Sequence, residues 1–511
     1  MCAHRLIKAD LAAELYVVYS FTEIWHIGIL RNTCHKIQGR KQLQFRLYNS
    51  LGREIQDFIP MHEDSVGMYT CGPTVYDYAH IGNMRTYIFE DLLRRSLEYA
   101  GFTVQHVMNI TDVGHLTGDE DDGEDKMLAG ARKSGMTVWE IAEKYTASFF
   151  KDTDRLNILR PHVACKATEH IEEMINLVKK LEEKGYVYVA NGNVFFDTSK
   201  FASYGKLALL DRQELKAGAR IEIDTTKKHP ADFALWFTNS KFEHQAMMWD
   251  SPWGKGYPGW HLECSAMSMK YLGEQFDIHC GGVDHIPVHH TNEIAQSEAA
   301  TGKKWVNYWL HGEFLLMEKG KMAKSAGKFV TLQTLVDSGY DPADFRYLCL
   351  GAHYRSQLNY SEDSLNGARY SRRNLTERLA RIRENGLPVP FEKLGVNAKK
   401  YIDGFKKEIS NDLNMPKALS GLWNLTKDDS VPDGEKLTAA YRMDHVFGLG
   451  LEEAIEREDT LEPALMKMIT DREQARKNGD YALADSLRDE LAGHGVILED
   501  TAAGTRWLRE K

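Results

Sequence analysis

The spacing of apolar residues over 67–110 predicts a strand, a helix and a second strand. Residues 67–72 and 102–110 are short apolar runs typical of buried strands, and the first reaches a Gly-Pro pair. Between them, 82–100 has the i, i+4 spacing of a packed helix, in the rows Met84, Ile88, Leu92 and Phe89, Leu93, Leu97. This β-α-β pattern predicts a parallel sheet, whose ligands usually bind at the carboxyl ends of the strands.

Further along the chain, the pattern becomes mostly helical. A helical stretch is predicted at 138–184, and a strand-like run at 276–285 leads into a helix over 289–301. Nearly all of 341–455 is amphipathic at helical spacing, and a tail over 462–511 begins with a helix and ends in a short strand and turn. The chain therefore combines an α/β part with a helical part and a small C-terminal domain.

Composition limits the class of protein. The 511 residues exceed what one hydrophobic core supports, so two to four domains are expected. A net charge of −10 argues against a nucleic-acid coat protein, although the six arginines of 368–384 could bind RNA locally or form an ordinary solvated helix face. Seven scattered cysteines do not form a disulfide framework, so reduced thiols and a cytoplasmic protein are expected.

Residues 1–43 are expected to be an N-terminal extension outside the main fold, with no role assigned. Their most apolar stretch, 11–30, is interrupted by Glu14, Glu23 and His26 and is a poor membrane span. No membrane association is expected.

The tripeptide His-Ile-Gly occurs at 26–28 and at 80–82. Only the second copy stands at a predicted β-to-α turn, where the N–H groups and dipole of a helix N-terminus attract anions. Gly82 would let a phosphate approach the backbone, and His80 could donate a hydrogen bond to it during transfer. A histidine that only caps the helix is an equal alternative on these residues alone.

Four lysines in EKGKMAKSAGK, residues 318–328, suggest a second anion-binding element. Their charge would neutralise a departing pyrophosphate, but a run of charge is more often a solvated loop. Both interpretations stay open at this point.

Candidate metal ligands come from separate segments. His289 and Glu293 share one helix face at the i, i+4 spacing that suits zinc, Cys71 ends the first strand, and Cys264 follows a Gly/Trp-rich loop. The sequence has no Cys-x-x-Cys pair, and isolated cysteines are usually inert core residues, so ordinary buried side chains are the alternative.

The segments CGPTVYDYAHIGNMRTY, GWHLECSAM, GGVDHIPVHHTNEIAQSEA and KGKMAKSAGK, in this order and at these separations, closely resemble the cysteinyl-tRNA synthetases. The similarity runs from about residue 44 to the C-terminus, where ALADSLRDEL and GVILEDTAAGTRW resemble that family's anticodon-binding tail. The resemblance implies an α/β class I synthetase. Its expected parts are a Rossmann-type parallel-sheet catalytic domain with an inserted subdomain, an α-helical bundle and a small mixed α/β C-terminal domain.

The resemblance also implies domain boundaries. The catalytic domain is expected over 44–316, with the inserted connective subdomain at about 155–240, and the lysine loop and stem-contact region over 317–340. The helical tRNA-binding bundle is expected over 341–455 and the anticodon-binding domain over 460–511.

Two motifs match the family's catalytic motifs with one change each. In His-Ile-Gly-His, Asn83 replaces the final histidine and cannot carry positive charge; in Lys-Met-Ser-Lys-Ser, Ala323 replaces the first serine. The residues implied to act in catalysis are His80, Asn83, Lys321 and Lys324. The residues implied to bind ATP are His80, Gly82, Asn83, Gly281, Gly282, Asp284, Lys321, Lys324 and Ser325.

A zinc site and two recognition sites are implied as well. The implied zinc ligands are the four candidates above, Cys71, Cys264, His289 and Glu293. The implied amino-acid pocket contains Cys71, Thr74 and Trp260, although Trp260 could equally be a core residue. The tail residues implied to recognise the anticodon are Arg476, Tyr481, Asp485 and Asp500.

The implied function is activation of L-cysteine by ATP with Mg²⁺ to cysteinyl-adenylate, followed by transfer to tRNA(Cys). One Zn²⁺ per chain would select the thiolate, because zinc prefers sulfur to the hydroxyl of serine, whereas a shape-based pocket separates such small differences by only ~1–3 kcal/mol. The alternative is a cysteine ligase of mycothiol biosynthesis with the same adenylate chemistry, and a non-catalytic zinc- or RNA-binding relative is a third hypothesis. A cytoplasmic monomer is expected.

Overall fold

The computed structural model describes residues 43–114, 135–209, 226–239, 247–317, 320–321, 330–458, 463–501 and 504–509. The predictions for 1–42, which include the first His-Ile-Gly, lie outside the described residues. So do those for 322–329, which include Ala323, Lys324 and Ser325.

The strands are short and fall into several sheets. In chain order they are β1 Arg46–Asn49, β2 Glu54–Asp57, β3 Ser65–Thr70, β4 Thr103–Ile110, β5 Val163–Lys166, β6 Val187–Ala190, β7 Asn193–Phe196, β8 Phe233–Phe237, β9 Tyr257–Pro258, β10 Phe276–Gly282, β11 Val306–Gly312, β12 Leu315–Met317, β13 Gly320–Lys321, β14 Leu358–Tyr360, β15 Val496–Thr501 and β16 Gly504–Arg509.

The α-helices dominate the second half of the described chain. They are α1 Ile81–Tyr99, α2 Val138–Arg155, α3 Ile171–Glu183, α4 Trp260–Leu272, α5 His289–Thr301, α6 Leu332–Asp337, α7 Pro342–Leu350, α8 Glu362–Asn385, α9 Val396–Ile409, α10 Met415–Lys427, α11 Asp433–Phe447, α12 Leu451–Glu458, α13 Pro463–Lys477 and α14 Tyr481–Gly493.

A five-stranded parallel sheet organises the part of the chain that precedes the helical bundle. Its strand order is β11-β10-β3-β4-β5, so the order along the chain reverses between β3 and β10. In such doubly wound sheets ligands bind at the carboxyl ends of the strands, at the point of reversal. The predicted β-α-β unit and the α/β fold class are confirmed.

The continuous helical stretch predicted at 138–184 is wrong. Strand β5 separates α2 from α3 and pairs with β4 at the edge of the parallel sheet. Asn157 adopts a left-handed backbone just after α2 (φ 54°), and Pro161 lacks the N–H that a continuing helix needs. Strand β5 therefore belongs to the parallel sheet, although its residues fall inside the range expected for the insertion; the antiparallel sheet β6-β7-β8-β9 follows it.

Helix α1 is buried over more of its circumference than an amphipathic pattern predicts. Both of its apolar rows are buried, and the charged residues Arg85, Glu90, Asp91 and Arg94 are buried too. Contacts with the parallel sheet on one side and with α7 and α11 of the helical bundle on the other account for this burial.

A buried guanidinium joins α1 to the helical bundle. Arg346 of α7 pairs with the carboxylate of Asp91 and donates to the carbonyls of Leu156 (2.9 Å) and Phe447 (2.6 Å). Although burial favours the neutral acid, the charge of Arg346 holds the pKa of Asp91 below its usual value. The ion pair and its hydrogen bonds connect four parts of the chain at one point.

Within the described ranges, no helix is both long enough and apolar enough to cross a bilayer.

Candidate active site and metal centre

The start of α1 lies at the carboxyl end of β3, and His80 and Asn83 cap it reciprocally. The His80 imidazole accepts a hydrogen bond from the Asn83 backbone N–H (Nδ1, 3.1 Å), and the Asn83 side chain accepts one from the His80 backbone N–H (Oδ1, 3.2 Å). The capping role considered for His80 is therefore real. Asn83 also lines the pocket beside this turn, so capping and ligand binding are compatible.

Three predicted ATP-binding glycines stand where a side chain would collide. A Cβ at Gly82 would lie 2.9 Å from the His80 ring, and one at Gly281 would lie 2.6 Å from His285 Nδ1. At Gly282 it would lie 2.3 Å from an Asp284 carboxylate oxygen. Gly281 and Gly282 line the pocket, so backbone forms that part of its wall, as close approach of a phosphate requires, whereas Gly82 lies next to the pocket on α1.

One pocket at the carboxyl ends of β3 and β10 brings many of the predicted residues together. Those that line it are Cys71, Thr74, Asn83, Trp260, Gly281, Gly282, Asp284 and His289. Trp260 is partly exposed, and its ring stacks on the His289 imidazole with centroids 4.2 Å apart. It is a pocket residue rather than a buried core tryptophan.

The four predicted metal ligands converge behind this pocket. One donor atom from each of Cys71, Cys264, His289 and Glu293 lies within 4.8 Å of all the others, and all four residues are buried. Cys71 follows β3, Cys264 lies on α4, and the other two lie on the first turns of α5. The reversal of strand order places these three elements around one point.

Burial and neighbouring charges shift the pKa values of all four donors. Burial raises the pKa of the Cys71 thiol to about 12 and that of Cys264 well above its ordinary value. Burial opposes a charge on His289, but the Glu293 carboxylate, 2.8 Å from its Nε2, raises the pKa of this imidazole to about 10. Burial likewise opposes a charge on Glu293, yet His289 and His279 hold its pKa below its usual range.

The donor set fits zinc. Glu293 Oε2 lies 3.0 Å from His279 Nε2, and its Oε1 lies 2.8 Å from His289 Nε2, so two imidazoles orient this carboxylate. Two sulfurs, one imidazole and one carboxylate are zinc ligands, and their separations leave room for one ion at about 2.0–2.3 Å from each donor. Four buried donors of these types, all within 4.8 Å of one another, are the surroundings that a zinc ion requires.

Sequence reasoning missed the histidines around this cluster. Cys71 Sγ lies 3.2 Å from His290 Nε2, and the other nitrogen of His290 lies 2.7 Å from His311 Nε2. On the other side, His261 Nδ1 lies 2.9 Å from His289 Nδ1. Their positions in the sequence could have indicated them. His290 directly follows the predicted ligand His289, and His261 lies one helical turn before Cys264 on α4.

The residues on either side of 322–329 have different neighbours, and those that follow this range contact the start of α1. The backbone of Lys321 is in β13, where it pairs with Leu316 of β12. Beyond the gap, Val330 accepts a hydrogen bond from the Ile81 N–H (2.9 Å), and Thr331 forms a bridge with His80. The chain therefore returns to the neighbourhood of His80 after the predicted loop, and it enters that loop from the sheet that contains β12.

The predicted anticodon residues have two kinds of environment in the C-terminal domain. Tyr481 is 66% exposed at the start of α14, and Asp485 is exposed on the same helix. Arg476, in contrast, forms an ion pair with Asp500. Asp500 also accepts two hydrogen bonds from the buried guanidinium of Arg472 (2.8 and 2.9 Å), a residue that sequence reasoning missed.

Comparisons with known proteins agree with this geometry. Residues 57–370 match the family described as "tRNA synthetases class I (C) catalytic domain", and residues 458–507 match "Cysteinyl-tRNA ligase anticodon binding domain". The cysteine–tRNA ligase of Treponema denticola is 53% identical over 494 residues, which cover 91% of this chain and 100% of the relative. The chain belongs to the cysteine–tRNA ligase family. Cysteine–tRNA ligase 1 of Burkholderia lata is 48% identical over 90% of this chain and 96% of its own.

Solved structures support the fold. A methionyl-tRNA synthetase of Mycobacterium tuberculosis, in complex with methionyl-adenylate, aligns with a TM-score of 0.52 at 15% identity, over 77% of this chain and 92% of its own. A second structure of a synthetase from this organism, bound by methionyl-adenylate, gives 0.51 at 15% identity over 82% of this chain and 96% of its own. The class I synthetase fold and the ligase class expected for this family member are confirmed.

Proposed function

We propose that this family member activates L-cysteine with ATP and Mg²⁺ to cysteinyl-adenylate and transfers the cysteinyl group to tRNA(Cys). The observation that carries the proposal is the convergence of four zinc-type donors next to one pocket. Two of them, Cys71 and His289, line this pocket together with Asn83 from the capped start of α1. A soft-metal site next to a phosphate-type site matches a substrate with one thiol and one carboxylate to be activated.

Cys71, Cys264, His289 and Glu293 would hold the zinc ion, which supplies a strong preference for a thiolate over a hydroxyl when bound. Trp260 restricts the pocket beside this site by stacking on His289. Thr74, also in the pocket wall, would complete the amino-acid site.

The residues at the start of α1 would act on the α-phosphate. Because Nδ1 of His80 accepts from the Asn83 N–H, the neutral imidazole carries its proton on Nε2, from where it would donate to a phosphate oxygen. The helix dipole adds to this stabilisation, while Gly82, Gly281 and Gly282 admit the nucleotide close to the backbone. Asp284 would hold the ribose, and Lys321, Lys324 and Ser325 would bind the departing pyrophosphate.

The C-terminal domain favours tRNA as acceptor over the mycothiol alternative. A ligase that joins cysteine to an amino sugar has no use for a domain that recognises an anticodon, and residues 458–507 match such a domain. Contacts with the anticodon would come from Tyr481 and Asp485. The ion pair between Arg476 and Asp500 would contact the anticodon or maintain the shape of the domain that binds it.

The test is ATP–pyrophosphate exchange with cysteine and with serine, alongside measurement of zinc by mass spectrometry. The wild type should exchange with cysteine only and contain one zinc per chain. Cys264→Ala should lose both the metal and the exchange, because a truncated donor set binds zinc far more weakly.

Cys165→Ala is the matched control. Cys165 is buried in the same hydrophobic cluster as Cys71 and Cys264 but is not one of the four donors. This variant should keep its zinc and its cysteine-dependent exchange. Full zinc content and full discrimination against serine in Cys264→Ala would refute the proposed metal site.

A further inference from the structure

Arg85 is a buried cation that binds backbone rather than a carboxylate. It lies on the second turn of α1 and is 5% exposed. Its Nη1 donates to the carbonyls of Glu313 (2.8 Å) and Phe314, and its Nη2 donates to those of Ser356 and, more weakly, His353 (3.4 Å). One guanidinium thus satisfies carbonyls in two separate segments of chain.

Both segments lead into the same small sheet. Glu313 and Phe314 connect β11 to β12, and Ser356 shortly precedes β14. Strand β12 is the middle strand of the sheet β13-β12-β14, with Leu316 opposite Lys321 on one side and opposite Asn359 on the other. Arg85 therefore holds the residues that directly precede β12 and β14, in the sheet that also contains the backbone of Lys321.

The same helix also binds the chain on the far side of the lysine residues. The hydrogen bond from Ile81 N–H to the Val330 carbonyl and the bridge between His80 and Thr331 lie at the first residues of α1. Arg85 is only one turn further along this helix. The first turns of α1 thus contact the chain at Glu313 and Phe314 before the lysine segment and at Val330 and Thr331 after it.

We propose that Arg85 is a positioning residue for adenylation, which sets the distance between the His80 end of α1 and the strand that carries Lys321. The inference rests on the proposed function, because it concerns the alignment of two groups assigned to ATP. A planar guanidinium reaches carbonyls on two segments at once, whereas a lysine ammonium is a point donor on a flexible stem. Loss of the fork would let β12 and β13 shift relative to His80, and a shift of about 1 Å in a catalytic group costs about 10²-fold in rate.

Arg94 provides a matched control on the same helix. It is also buried, and its Nη1 donates to the carbonyl of Arg160 (2.7 Å), so it too joins α1 to another segment through a backbone oxygen. Its contacts lie two to three turns away from Arg85, next to the end of α2 rather than next to β12. If substitution acts through a general loss of helix packing, variants of both arginines should lose activity. If it acts through the alignment of His80 with the strand that carries Lys321, only the Arg85 variant should lose activity.

The experiment compares Arg85→Lys with Arg94→Lys in full-length, zinc-loaded protein. In cysteine-dependent ATP–pyrophosphate exchange, Arg85→Lys should lower kcat by about 10²-fold with the KM for cysteine changed by less than about twofold. Zinc content should stay at the wild-type value. Arg94→Lys should keep kcat within about threefold of the wild type, whatever its effect on the melting temperature.

Hydrogen exchange supplies a second measurement that does not depend on activity. In Arg85→Lys, faster exchange than in the wild type should be confined to the backbone amides of 313–317 and 353–358. If Arg85→Lys does not fold, Arg85→Gln, which retains two donors on a planar group, takes its place with the same expectations. An equal loss of kcat in Arg94→Lys, or unchanged kcat in the Arg85 variant, would overturn the assignment. Absence of cysteine-dependent exchange in the wild type would instead refute the proposed function itself.

Discussion

The side chains of Asn83 and His80 each bind the backbone of the other residue. Each accepts a hydrogen bond from the other's backbone N–H, at 3.2 and 3.1 Å. This pairing satisfies two of the N–H groups that a helix start leaves open, and it fixes the orientation of the imidazole. The uncharged residue at the fourth motif position therefore has a definite task, which does not require a second imidazole.

Replacement of Asn83 should separate capping from charge. Asn83→Ala removes the acceptor for the His80 N–H and should destabilise the helix start by about 1 kcal/mol, with a lower kcat for ATP–pyrophosphate exchange. Asn83→Asp retains an acceptor but puts a negative charge in the ATP site, so it should keep the melting temperature and raise the KM for ATP. A normal KM for ATP in Asn83→Asp would contradict the placement of phosphate at this turn.

The stability of the protein should fall in mild acid because of His106. This imidazole is buried on β4, 2.9 Å from the Thr70 hydroxyl, and burial, followed by the charge of Arg94, lowers its pKa to about 3. The unfolded chain takes up a proton near pH 6.5 whereas the folded chain does not, so the stabilisation is complete above about pH 6.5 and is lost as pH falls. The limiting slope is about 1.4 kcal/mol per pH unit.

Urea unfolding at pH 7 and pH 5 checks this expectation. The drop in stability between the two pH values should be smaller in His106→Gln than in the wild type. The same substitution at the exposed His62 should leave the drop unchanged. Equal drops in all three proteins would show that another group dominates.

The Arg346–Asp91 pair should be far more sensitive than a surface pair. Both side chains are fully buried, so Arg346→Met leaves a buried carboxylate without its main partner and should destabilise the protein by about 3–5 kcal/mol. Lys303→Met, which breaks an exposed pair with Glu274, should cost less than about 1 kcal/mol. Thermal unfolding of both variants, compared with the wild type, measures the difference. Similar melting temperatures in the two variants would contradict it.

The C-terminal domain offers a test of direct RNA contact against structural support. Tyr481 is exposed, so Tyr481→Ala should raise the KM for tRNA(Cys) without changing the melting temperature. Asp500 is bound by Arg472 and Arg476, and the hydrogen bonds from Arg472 are the main cause of the lowered pKa of its carboxyl. Asp500→Ala should therefore loosen the domain as well as impair charging. Aminoacylation and limited proteolysis on both variants distinguish the two roles. Increased proteolysis in Tyr481→Ala would contradict the division.

Much of the candidate site was predictable because its residues have chemically distinctive spacing. The i, i+4 pair His289 and Glu293 and the turn residues around His80 are visible in the sequence, and the structure brings them into or next to one pocket. Their roles as ligands and catalytic groups stay predictions. Cys71 and Cys264 could be selected only by their neighbourhood and the resemblance, since nothing in a lone cysteine distinguishes a ligand from a core residue.

Most of the failures arise from burial on more than one side. Periodicity assumes that one helix face is buried and that the other faces water. Because α1 packs against both the sheet and the bundle, Arg85 and Asp91 are inside the protein despite their charge. His279 and His290 were not predicted as site residues because they too are fully buried. Strand β5 was not predicted because four residues are too few to show a periodic pattern.

The reversal of strand order between β3 and β10 also has a consequence for how the protein is made. Cys71 precedes α1, whereas Glu293 lies after the whole antiparallel insertion, so the four donors emerge from a ribosome at widely separated times. Cys71 therefore has neither His289 nor Glu293 beside it until α5 has been synthesised. A nascent chain that stops before α5 has neither His289 nor Glu293, so it cannot assemble the four-donor cluster, whatever part of the parallel sheet it has already formed.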